Sequence, residues 1–154
     1  MNLSNAIIEY LLWTHNMIWN IVENLTDDEF EQSFGTNSGS IKVRYIHLAE
    51  DTWEWFHDWC YNELEMPAFC DMSRHELYQS IIGYIEEWKQ LVDHPTIDTY
   101  TEQRNGKTVT VNFDEIIFHL VNHHSYHRGQ IVLCLRLLGK EVCMTDYVPY
   151  KFAS

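Results

Sequence analysis

The sequence predicts an all-α four-helix bundle with a small β-hairpin between the third and fourth long helices. Three observations carry that expectation. Four long stretches place apolar residues at three- and four-residue intervals, three of them follow a polar capping signal, and one Asn-Gly pair sits between alternating β-formers.

The first helix is expected over residues 3 to 25. Leu3, Ala6, Ile7, Tyr10, Leu11, Met17, Ile18, Ile21, Val22 and Leu25 recur at helical spacing with no Gly or Pro among them. Thr26-Asp-Asp-Glu29 has the form of a capping box and predicts a short turn through Phe34. Gly35 to Ser40 reads as a loop, and Ser40 can cap a second long helix from Ile41 to about Asn62. Pro67 belongs to the loop after it. Ser73-Arg-His-Glu76 opens a third helix that runs to Asp93, and His94-Pro95 closes it. Asn105-Gly106, between Tyr100–Gln103 and Thr108–Val111, predicts a hairpin. Asn112 to Glu115 caps the fourth helix, and Gly139 stands where a C′ glycine belongs. With mostly short connections the bundle is expected to be of antiparallel type, with the third connection long enough to cross it. The tail from Lys140 to Ser154 has no clear period.

The 154 residues fit a single domain, 1–154. A composition 45% apolar and 14% aromatic supplies a core and excludes a disordered chain. The formal charge of -13, with only 10 Lys and Arg and no basic cluster, argues against duplex DNA as a partner. Apolar runs such as Ala6–Ile8 and Ile131–Leu135 fall far short of the ~20 residues a membrane span needs. The N-terminus has neither a basic n-region nor an apolar h-region, so the expected location is the cytoplasm. Cys60, Cys70, Cys134 and Cys143 form no C-x-x-C pair and are expected to be free, mostly buried thiols.

Nine histidines are the unusual feature. His119, His123 and His127 are spaced i, i+4, i+8 and project from one side of the fourth helix, among Ile116, Leu120, Ile131, Cys134 and Leu138. Two imidazoles at i, i+4 can serve one metal ion, and neutral rings on an inward face each need a partner that a metal would supply. His47 on the second helix is the best candidate for a third ligand. Asp51, one turn on, and Glu50 are candidates to orient an imidazole or complete the shell. His15 is expected to line the cavity or hydrogen-bond within it, and His124 to face away from any site that His123 serves. His57, His75 and His94 are expected at the surface. Gly129 inside a helix suggests close approach of another helix, and Arg128 a carboxylate partner. Trp13, Trp19, Trp53, Trp55 and Trp59 are expected in the core or an interface, with one or two walling the pocket.

The run Asn122-His123-x-x-x-His127-Arg128-Gly129-Gln130, followed by Leu138-Gly139, resembles the signature of the DinB (DNA-damage-inducible) family. Ile46-His47-Leu-Ala-Glu50 with Trp53, Trp13-x-x-Asn16 and the hairpin fall where that family has matching features, so the resemblance spans nearly the whole chain. It implies a metal site of His47, His123 and His127, usually holding zinc or nickel, in a protein that is commonly a homodimer. It also implies an enzyme that activates a low-molecular-weight thiol for attack on a small electrophilic substrate, as transferases and isomerases of the family do. Asp51, Glu50 and His15 are the candidates for a general base. Two alternatives stand beside this: a hydrolase with water at the same centre, and a non-catalytic metal-binding stress-response protein.

Overall fold

The computed structural model describes residues 3–35, 39–60, 64–95 and 97–153. Helix α1 (Leu3–Val22) is followed by the short α2 (Asp27–Glu31), then α3 (Ile41–Trp59), a 3-10 turn (Phe69–Asp71) and α4 (Arg74–Asp93). The hairpin β1 (Thr99–Arg104) and β2 (Lys107–Asn112) leads into α5 (Phe113–Leu137), and α6 (Tyr147–Ala153) ends the chain. The first helix and the turn after it are each three residues shorter than periodicity suggests. The Thr36–Ser38 part of the expected loop and the second helix's expected end at Asn62 lie outside the described residues.

Local chemistry fixes these boundaries. Thr26 with Glu29, Ser73 with Glu76 and Asn112 with Glu115 each form a reciprocal capping box, and Ser40 accepts from the Val43 N–H. Asn105 (φ 52°) and Gly106 (φ 73°) supply the two left-handed residues of a tight hairpin turn, and Thr99 to Arg104 pair with Asn112 to Lys107. Gly139 (φ 75°) ends α5 in the left-handed conformation expected of it.

α1 packs on α4 and α5, and so does α3, which leaves chain neighbours α1 and α3 on opposite corners of the bundle. Side-chain contacts give the directions. Ser4 bonds Asp114 and Thr14 bonds Arg128, so α1 and α5 run parallel. Phe56 and Trp59 meet Trp88 at the end where α3 and α4 both finish, while Trp19 meets both Tyr45 and Tyr78, early in those two helices. The order is therefore up, down, down, up: the bundle is antiparallel only in part, and the connection that crosses it is the second, between α3 and α4, and not the expected third, between α4 and α5. The physical reason is the α3–α4 connection. Residues 60–73, up to about 48 Å when extended, can return along the about 28 Å of α3.

The core is closed at one end by Phe56, Trp59, Trp88 and Phe113. Burying such rings contributes about 1.5–3 kcal/mol each before ordering costs. Among the described residues no helix is long and apolar enough to cross a membrane. All four cysteines are free, but only Cys134 is buried; Cys70 and Cys143 are exposed, because both lie outside the long helices.

Candidate metal centre

Antiparallel packing of α3 against α5 brings three predicted residues together. His47, His123 and His127 each offer a ring nitrogen, and the three atoms lie within 4.8 Å of one another. The Nε2 atoms of His47 and His123 face each other at 3.2 Å. His127 donates from Nδ1 to Gln130 Oε1 at 2.8 Å, which fixes the ring and leaves Nε2 with its lone pair. Burial, with the neighbouring imidazoles adding to it, lowers the pKa of His123 and of His127 to about 4. The His123 and His127 rings are therefore neutral at pH 7.

Asp51 lies beside them, its Oδ2 3.5 Å from His123 Nε2. That oxygen is buried and has no hydrogen-bond partner. Burial raises the Asp51 carboxyl above the usual range, while the nearby histidines and a hydrogen bond from Trp55 pull the other way. Imidazole nitrogens converging near an unsatisfied carboxylate oxygen are the donor set of a borderline divalent ion, and the residues fit one. Asp51 and His119 form a second group with His123, again within 4.8 Å. Trp55 packs on His119 at 4.8 Å and is the tryptophan that walls the site. Glu50 lines a depression of about 350 Å³ with Val43, Arg44, Ile46 and His47. A depression of about 690 Å³ between Met17 and Cys143 is lined by no histidine, and donor geometry places the chemistry elsewhere.

Several expectations are corrected. His15 does not line the site: its Nε2 meets His124 Nδ1 at 2.8 Å inside the core. His124 does turn away from the triad, but it is fully buried. His57 is buried against Trp53, Phe56 and Tyr84, because α4 covers that face of α3; His75 and His94 are exposed as expected. Arg128 bonds hydroxyls of Tyr10, Thr14 and Ser125, since α1 offers no carboxylate there. Gly129 has nothing within 4 Å of a Cβ position, so among the described residues no helix approaches it closely. The sequence reading missed the His15–His124–Thr52 network, whose signal was His124 a single residue from His123.

A mixed parallel and antiparallel bundle with histidines meeting between two helices defines the class: a helical protein with a candidate metal centre. The sequence model of the DinB family matches residues 1–154, and the chain belongs to that family. The chain is similar to Protein DinB of Bacillus subtilis (strain 168), 22% identical over 160 residues, covering 96% of this chain and 93% of that protein. It also shares its fold with a solved structure, YfiT from Bacillus subtilis, described as a probable metal-dependent hydrolase with an unusual four-helix bundle topology. The TM-score is 0.70 at 12% identity, over 92% of this chain and 91% of that one.

Proposed function

We propose that this protein is a metal-dependent enzyme in which His47, His123 and His127 hold a divalent ion, zinc or nickel, and a nucleophile attacks a small electrophilic substrate. One observation carries the reading: ring nitrogens of three histidines from two helices converge within 4.8 Å, beside a carboxylate oxygen that lacks a hydrogen-bond partner. A divalent ion there supplies Lewis acidity, enough to bring the pKa of water to ~7 or to deprotonate a thiol. Gln130 orients His127. Asp51, with its carboxyl raised by burial, is the proton acceptor we assign. Trp55 and His119 shield that side from solvent.

Water is the nucleophile this arrangement favours. A thiol gives up its proton on coordination, whereas water profits from the acceptor that Asp51 provides. The description of YfiT supports the same choice. A low-molecular-weight thiol is the second reading, supported by the family resemblance. For the partner we propose a second copy of the chain. Phe118, Tyr126, Leu133 and Leu137 are exposed within one arc of α5 that includes Gly129, and that arc would form the dimer face. Size measurement of wild type and Leu133→Glu tests this; a monomeric wild type removes it.

The test of activity uses zinc- or nickel-loaded protein with p-nitrophenyl acetate and p-nitrophenyl phosphate, with and without glutathione or bacillithiol. We expect turnover of at least one ester without thiol, lost in His123→Ala and strongly reduced in Asp51→Asn. Turnover only with thiol would select the second reading. Metal binding without any turnover would leave the non-catalytic stress protein.

A further inference from the structure

We infer that Asp51 and His119 form a second divalent-cation position beside the three-histidine set, next to His123, whose single Nε2 lone pair belongs to the first position. The inference rests on the same groove being a metal centre, and goes beyond it in stoichiometry and in ligand type. Three observations carry it. The ligand atoms of Asp51, His119 and His123 lie within 4.8 Å of one another, yet the five residues form two groups of three and not one group of five. Asp51 therefore does not simply close the shell of the first ion. It stands next to that shell, 3.5 Å from the one nitrogen that faces both His47 and the carboxylate.

The second observation is the buried Asp51 Oδ2 without a hydrogen-bond partner. Burying an acceptor unsatisfied costs about 1–3 kcal/mol, and more for a charged group. A cation between Asp51 and His119 would satisfy it. Trp55, whose ring packs on that of His119, holds that donor in place.

The third observation is the field along the groove. Arg44 lies a turn before His47, and its charge reaches His127. Past Asp51 the sign reverses. Glu54 and Asp58 follow along α3, with burial raising both carboxyls; Asp58 and Asp51 raise Glu54 further, and Glu102 of the hairpin raises Asp58. One end of the groove thus sets histidine nitrogens beside Arg44 and Glu50, and the other a carboxylate and a nitrogen followed by Glu54 and Asp58, with Arg104 near Glu54. A cation that accepts oxygen as well as nitrogen, such as zinc, manganese or cobalt, matches the second end.

The experiment is a cobalt titration of metal-stripped, tag-free protein, read by visible absorption and by bound metal per chain after gel filtration. We expect two cobalt per wild-type chain and one in His119→Ala and in His119→Gln, the retained ion binding within about threefold of its wild-type Kd. His127→Ala should keep the other ion. His119 is half-buried and makes no hydrogen bond among the described residues, so both variants should fold, which circular dichroism checks. A single cobalt in wild type and in His119→Ala alike, with equal Kd, overturns this inference and leaves the three-histidine centre standing. No cobalt in the wild type overturns both.

Discussion

Helix α5 carries histidines on two faces, and the two sets are partnered in opposite ways. On the inner face Thr52 gives its hydroxyl proton to Leu48 O, so it accepts from His124 Nε2 at 3.0 Å. His124 Nδ1 must then accept from His15 Nε2. Every proton in that row has one place to be, and His124 has no lone pair left for a ligand. On the groove face, His47 and His123 point nitrogens at each other, and His127 turns its second nitrogen toward them. The same side chain is structural where its bonds are complete and a ligand where they are not. Counting histidines cannot separate the two; counting lone pairs can.

The largest expected difference lies in metal content. His47→Ala or His127→Ala should lower affinity at the three-histidine set by more than the about 10–100-fold that losing an outer partner costs, with little change in the stability of the metal-free protein. Calorimetric titration checks this, and unchanged affinity would erase the distinction between the faces. His124→Ala should do the reverse. It should keep the metal and lose about 2–4 kcal/mol of stability in urea, because it leaves a cavity and an unsatisfied His15.

Acid sharpens the comparison. Burial, with the Arg128 charge adding to it, lowers the His15 pKa to about 3. The unfolded chain takes up that proton near pH 6.5 and the folded chain refuses it. Stability is therefore full above pH 6.5 and falls as pH drops from 6.5 toward 3, by at most about 1.4 kcal/mol per pH unit for this residue. Urea midpoints at pH 7, 6 and 5 should show the slope, and His15→Leu should reduce it by this residue's share, leaving that of His123, His124 and His127. The smallest effect is expected at Gly129→Ala. With open space around the Cβ position it should stabilise the isolated chain by about 0.5–1 kcal/mol, read as a higher Tm. A lower Tm or a weakened dimer would show that a second copy packs there.

Much of this was legible in the sequence because it is local. Capping at Thr26, Ser40, Ser73 and Asn112 needs only residues three apart, and the hairpin needs only Asn105-Gly106. The i, i+4 spacing placed His123 and His127 on one face for the same reason. What was not legible depends on distant chain. The burial of His57 requires Tyr84 from α4, and the partners of Arg128 come from α1, 114 and 118 residues away. Helix direction was hidden because it follows from the path of a connection, which composition does not specify. His15 was misplaced because its true partner, His124, lies 109 residues on.

The Tyr10 hydroxyl gives its proton to Thr145 O and accepts from Arg128, and its ring packs on Tyr147 and Tyr150. One phenol thus ties α6 to the residue that directly follows His127. For anyone engineering the molecule, the two ends of the chain are unequal. A fusion attached after α6 pulls on a strap that reaches the metal-site turn through two hydrogen bonds. One attached before Leu3 lies next to Ser4, whose bond to Asp114 reaches the start of α5, away from the His123–His127 turn, and is the better handle.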